Sequence, residues 1–337
     1  MVSGEENAGG GQLAAVSWWL LAGGWRLAAG AVSITILPPP MKDVTIGLLT
    51  DYGLDDTYVG VMKAVIAGLA PRARTIDLTH AILPGDIHQG AFRLWQTAAF
   101  LPQGSIVVAV VDPGVGTSRR GIAAAWDRLT VVAPDNGLLT YLLAEGPPRH
   151  AVALDNPAYQ LPLLSATFHG RDVFAPAAAH LARGLRLEKL GPPARDLVRF
   201  DWPRLELMEG PRLRGQLLHH DHFGNWVTSL GRLSEVEGDL ELAPWLPSCP
   251  PARLPLMGRL RALLPTGLAL PVQHTFADAP PGTVLAYIGS EGLLEIAVNQ
   301  GSTAATLPLM SGQEILLTYE GRTPPGPKPA GRRPERG

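Results

Sequence analysis

The stretch VVDPGVGTSRRG, residues 110–121, drives an apolar strand into an acid, a proline, two glycines and a pair of arginines. Placing Asp112 at the mouth of a strand and returning Arg119 and Arg120 beside it suits three kinds of chemistry. The loop could cradle a phosphate, it could be a nucleoside-binding turn of the methyltransferase kind, or it could hold a small polar reactant against the acid and an arginine. The phosphate loop fails on pattern, because no G-x-x-x-x-G-K-[ST] occurs and the Gly-Val-Gly run opens no helix. Asp-Pro-Gly-Val-Gly-Thr does have the acid-x-Gly-x-Gly rhythm of nucleoside-binding turns. Such turns open a helix after the first strand of their domain, whereas TSRRGIAAAW leads into another strand and follows the third. The polar pocket is the reading left.

Other residues could serve it. In parallel α/β sheets ligands gather beyond the carboxyl ends of the strands. Asp51, His80 and Asp112 close three successive apolar runs, and so fall along one edge. TFHGRDVFAP sets His169 directly before a helix, whose N-terminus favours the neutral ring. HHDHFGN, 219–225, suggests a metal, but on a strand His220 and His222 share one face while His219 and Asp221 share the other. Two imidazoles with no third ligand argue for a turn in which Asp221 and Asn225 meet a polar ligand. No metal is expected.

These side chains need a scaffold, and from Val44 the pattern supplies one. VTIGLLTD reads as a strand. DDTYVGVMKAVIAGLAP reads as a helix with Tyr58, Val61, Met62, Val65, Ile66 and Leu69 on one stripe, capped by Asp55 or Asp56 and stopped by Pro71. TIDLTH is a second strand, and DIHQGAFRLWQTAAFLP a second helix capped by Asp86. SIVVAVVD is a third strand, apolar throughout and therefore central. Strand and helix in alternation mean a largely parallel sheet. GIAAAWDRLTVVAPDNG then reads as two strands joined at Trp126–Asp127–Arg128, which makes the sheet mixed, and 170–184 as a further helix. Beyond about residue 196 short apolar runs separated by glycines predict an antiparallel β domain. The expected organisation is an α/β domain over 41–195 and an all-β, barrel-like domain over 196–320.

The ends differ from this body. Residues 12–37 are apolar, but Arg26 and glycines interrupt them and no basic residue precedes them. Met41 is read as the natural start and 1–40 as a leader outside the fold, with a weak membrane anchor as the rival. Residues 321–337 read as a disordered basic tail. A net charge of −2 gives no basic surface for nucleic acid or an anionic membrane, and the single Cys249 excludes an internal disulfide, which fits the cytoplasm.

Taken in order, TDYGLDDTYVGVMK, LTHAILPGDIHQGA, VVDPGVGTSRRGI, PDNGLL, TFHGRDVFAPAAAHLA, DHFGN and LLEIAVNQGS resemble the S-adenosylmethionine (SAM) hydroxide adenosyltransferases. That family also contains the SAM-dependent chlorinase and fluorinase. The resemblance runs from about residue 44 to about 318. It implies an α/β domain, a barrel-like β domain and a homotrimer whose ligand lies between one subunit's first domain and its neighbour's second. It also implies hydrolysis of S-adenosyl-L-methionine to adenosine and L-methionine, with SAM as substrate and no cofactor. The family's water-handling triad maps onto Asp112, Arg119 and His169, with Asp112 and His169 as acceptors and Arg119 as fixed charge. Asp51 falls at the ribose hydroxyls, Asp221 and Ser290 at the amino-acid group, and Asn225 with Phe223 at the nucleoside. Asp56, Tyr58 and Asn136 fall near the same pocket. Leu293 replaces a common aromatic, Tyr52 replaces a common phenylalanine, and 231–280 matches poorly. Two other readings stay open: a halogenase, and a nucleoside-binding protein without turnover.

Overall fold

A computed structural model describes residues 43–319 apart from 210–211, 238, 244, 247–248 and 255–259. The leader over 1–40 and the tail over 321–337 lie outside the described residues. No described helix is long and apolar enough to cross a membrane.

The first half is built on one six-stranded sheet. Strand β1 (Thr45–Thr50) lies parallel to β2 (Arg74–Thr79) and β3 (Ser105–Val110). A hairpin of β4 (Gly121–Ala125) and β5 (Leu129–Pro134) turns at Trp126–Asp127–Arg128. With β6 (His150–Ala153) on the far edge, the order is β2-β1-β3-β5-β4-β6. β3 is central, as its unbroken apolar run predicts, and every residue of it is buried.

Because side chains alternate along a strand, β3 supplies two cores. Ile106, Val108 and Val110 face helices α1 (Tyr58–Leu69) and α4 (Ala175–Ala182). Val107, Ala109 and Val111 face α2 (Ile87–Ala98) and α3 (Thr140–Glu145). Asp86 caps α2 as expected, its carboxylate accepting from Gln89 N at 2.9 Å. The cap expected for α1 is corrected: Thr57 occupies the N-cap with no side-chain bond, and Asp55 and Asp56 stay exposed. Its buried stripe is Val59, Met62 and Ile66, one residue rotated from the expected one at its start. Sequence periodicity also missed α3 and β6, which are too short to show a period.

The second half closes a barrel. Its strands are β7 (Leu205–Met208), β8 (Arg212–His220), β9 (Trp226–Thr228), β10 (Leu233–Val236), β11 (Asp239–Leu242), β12 (Ala252–Leu254), β13 (Leu260–Leu263), β14 (Ala269–Gln273), β15 (Val284–Ile288), β16 (Leu294–Val298) and β17 (Glu314–Tyr319). The main sheet runs β17-β13-β14-β15-β16-β9-β8-β7, and β17 pairs back onto β8, which closes the sheet on itself and leaves β7 paired on one side only. The pairing is antiparallel except for β14 with β15, which run parallel. The poorly matching stretch accounts for the rest: β10, β11 and β12 form a small sheet of their own.

The α2 face joins the two halves. Phe92, 1% exposed, packs its ring 5.5 Å from Trp95, 6.0 Å from Tyr141, 4.7 Å from His219 and 6.4 Å from Trp245. Tyr141 and Trp245 stack at 13°. One apolar core therefore runs from the sheet into the barrel, and α2 is held from both sides. Phe92→Ala leaves a cavity at that junction and should cost about 3–5 kcal/mol, read as a lower urea midpoint. An unchanged midpoint would mean the two halves do not share this core.

Candidate active site

The ends of β1 and β3 deliver two acids to one place. Asp51, Tyr52, Tyr58, Pro84, Gly85, Asp112, Pro113, Val115 and Thr167 line a cavity of about 480 Å³ beyond the carboxyl edge of the sheet. Asp51 accepts the Gly85 N–H at 2.8 Å, which aims its carboxylate. Burial raises its pKa above the usual aspartate value, and the Gly85 hydrogen bond works against that rise. His80, expected beside these acids, is elsewhere. It is buried between Thr50 Oγ1, 2.8 Å from Nδ1, and Asp77 Oδ1, 3.0 Å from Nε2, and it braces the β1–β2 edge. The Asn136 amide donates to the Val111 carbonyl at 2.8 Å, which fixes the end of β3 just before Asp112.

Asp112, Arg119 and His169 come together. Arg119 Nε donates to both Asp112 oxygens at 2.9 Å, and Nη2 reaches Oδ2 at 2.5 Å. The same Nη2 lies 2.7 Å from His169 Nδ1. The pair is enclosed, with 5% of the Asp112 side chain and 12% of the Arg119 side chain exposed. The Arg119 guanidinium also sits over the Phe174 ring, 5.4 Å from its centre. A buried pair recovers its desolvation cost only through good geometry, and the forked contact provides it. The loop that returns Arg119 is tight: Gly116 has φ +79°, and a Cβ there would stand 2.7 Å from the Ala166 carbonyl. Arg120 turns the other way, onto Asp135, and has a structural role.

Arginine only donates hydrogen bonds, so Nδ1 of His169 is an acceptor and the ring proton sits on Nε2. The acceptor expected of the neutral His169 ring is thus Nδ1, engaged by Arg119. Burial first, and the Arg119 charge second, hold its pKa below the ordinary 6.5. The expected helix after it begins as a π turn, Gly170–Phe174, before continuing as α4. Tyr52 shapes that turn: a Cβ on Gly170 would meet the Tyr52 hydroxyl at 2.7 Å, so residue 170 must be glycine for Tyr52 to lie against it. Tyr52, Tyr58 and Phe168 pack edge to face or tilted, with ring centres 5.1–5.8 Å apart.

The remaining expected residues collect in a second, separate cavity of about 830 Å³. Asp221, Phe223, Asn225, Ser290 and the buried Leu293 line it. Asp221 organises the turn after β8, accepting the N–H groups of Phe223 and Asn225 at 2.9 and 2.8 Å and the Asn225 amide at 3.0 Å. His219 is buried against Phe92 while His220 is exposed, and no group of three or more His, Cys, Asp or Glu among the described residues is placed to hold a metal. Asp56 lines neither cavity. Arg93 on α2, with Tyr287 and Glu295, also lines the larger cavity, and the sequence reading missed all three. Arg93 looked like an ordinary polar residue of an amphipathic helix.

The bond to Arg119 makes a prediction. Imidazole ¹⁵N spectra should show His169 neutral with the proton on Nε2, titrating below pH 6.5. The unfolded chain takes up this proton first as pH falls, so the stability tied to neutral His169 is intact above 6.5. It is lost as pH drops through the folded-state pKa. A protonated Nδ1 at neutral pH would contradict the arrangement.

Comparison with known proteins identifies the family. The family model described as the SAM hydroxide adenosyltransferase N-terminal domain matches residues 46–191, and that of the C-terminal domain matches 215–316. A Thermus thermophilus protein named (R)-S-adenosyl-L-methionine hydrolase is 44% identical over 278 residues, covering 80% of this chain and 97% of that protein. A Salinispora arenicola protein of the same name is 41% identical, covering 81% and 97%. A fluorinase from Actinoplanes is 29% identical, covering 83% and 99%. The crystal structure of an uncharacterized conserved protein from Thermotoga maritima superposes with a TM-score of 0.69 at 32% identity, covering 81% of this chain and all of that one. The chain belongs to the SAM hydroxide adenosyltransferase family.

Proposed function

We propose that this chain hydrolyses S-adenosyl-L-methionine to adenosine and L-methionine, as a cytoplasmic homotrimer with active sites between subunits. The observation that carries the reading is the forked Arg119–Asp112 contact, which fixes a carboxylate on the wall of the cavity that also holds Asp51.

The sulfonium is already a good leaving group, so the reaction asks for no protonation of sulfur and no cofactor. It asks for a water aimed along the carbon–sulfur bond. Asp112 has three of its acceptor sites taken by Arg119 and keeps room for a water proton. Arg119 lowers the cost of hydroxide character, and the Nε2–H of His169 orients the oxygen. Oxygen attacks C5′ and the C5′–S bond breaks. Its electron pair stays on sulfur as the methionine thioether, and the surplus proton passes to Asp112 and then to solvent. Alignment of this kind contributes up to about 7–11 kcal/mol. Asp51, on the wall of the same cavity, takes the ribose hydroxyls in this reading. A halide nucleophile would stand as an anion beside the Asp112 carboxylate, which disfavours the halogenase reading.

Among the described residues the two cavities share no lining residue. One holds Asp51 and Asp112, the other Asp221, Asn225 and Ser290, which suits a ligand taken up by one subunit's first half and its neighbour's second. In halide-free buffer the purified protein should convert SAM to adenosine and methionine. Asp112→Asn should lower kcat by about 10²–10⁴-fold while affinity changes little. Binding without turnover in the unaltered protein would favour the nucleoside-binding reading, and products only with added halide the halogenase. Asp112→Ala and Asp221→Ala chains, each inactive, should regain about one quarter of full activity when refolded together, because randomly mixed trimers rebuild a quarter of the shared sites. No recovery would mean each site belongs to one chain.

A further inference from the structure

Arg93 is the unexplained charge in the larger cavity. It projects from α2, and its Nη1 donates to Gln96 Oε1 at 2.9 Å. Among the described residues no carboxylate stands within ion-pair distance of it, although Asp221, Glu295 and Glu291 are near enough for their fields to act on it. It is the one cation among the described lining residues, facing those three acids. Burial pulls its pKa down, which registers lost hydration, but a guanidinium stays charged. A partly buried cation with no ion pair is a costly arrangement that an incoming anion relieves.

The surroundings limit what that anion is. Glu295 is engaged by the Tyr287 hydroxyl, and burial raises its pKa. Asp221 is held by three N–H donors and keeps acceptor capacity. His219, packed beside Phe92, is kept neutral by burial, its pKa pulled down to about 3, so it adds no second cation. A phosphate or other multiply charged anion would meet three carboxylates. A metal ion would meet Arg93. A zwitterion satisfies both walls, its ammonium toward the acids and its carboxylate toward the arginine.

We propose that Arg93 binds the α-carboxylate of the methionyl group and so selects amino-acid-bearing sulfonium substrates. This rests on the hydrolase reading above, and the test separates the two. Compare S-adenosyl-L-methionine with its decarboxylated analogue, in which the same sulfonium carries an aminopropyl arm. The unaltered enzyme should prefer the carboxylate-bearing substrate in kcat/KM. Arg93→Met should lower kcat/KM for that substrate by about 10–100-fold and for the analogue by less than about threefold, with Arg93→Lys between. Equal losses on both substrates, or none on either, would overturn the role, since a structural arginine cannot tell them apart. Calorimetry with L-methionine against 3-(methylsulfanyl)propylamine reads the same contrast without turnover. A protein that hydrolyses neither substrate but loses methionine binding in Arg93→Met would retain the Arg93 role and lose the hydrolase one. Methionine binding unaffected by Arg93→Met would remove the Arg93 role.

Discussion

A guanidinium is planar, permanently charged and able only to donate, and in this protein that constraint falls on Arg119. Its fork fixes the Asp112 carboxylate, and the second N–H of Nη2 fixes the tautomer of His169. Everything near it serves that geometry. The Asn136 amide anchors the Val111 carbonyl next to Asp112, and a glycine turn pressed against the Ala166 carbonyl brings Arg119 back. The Phe174 ring lies beneath the charge. Removing Asp112 or Arg119 alone would leave the other's buried charge uncompensated, which is why the fold invests so much structure in one loop.

The architecture supplies the rest by alternation. β3 sends successive side chains to opposite faces, so one apolar strand anchors α1 and α4 on one side and α2 and α3 on the other. The first pair carries the π turn and His169. The second pair abuts the barrel through Phe92, Tyr141 and Trp245, and in doing so sets Arg93 into the barrel-side cavity. The same helix that joins the halves thus lends a charge to the cavity that the sheet does not reach.

Much of this was legible in the sequence, and the reasons are specific. The burial of β3, the cap of α2 at Asp86 and the β4–β5 hairpin follow from local pattern. Asp112, Arg119 and His169 were picked out by type and by family resemblance, and they do converge. What the sequence hid depends on distance or direction. Asp56, Asn136 and His80 have the right types beside the right strands, but two of them bond inward and one stays in solvent. Arg93 and Tyr52 gained their significance only from what folding placed opposite them. The bond from Arg119 to Nδ1, which leaves His169 a donor at Nε2, has no trace in residue spacing.

The central claim is that this site aims water at C5′ of the ribose. Turnover in H₂¹⁸O, with products resolved by mass, tests it directly. The account predicts that the label appears in the 5′ hydroxyl of adenosine and that methionine is unlabelled. Label in an amino-acid product, or adenosine formed without solvent oxygen, would contradict it.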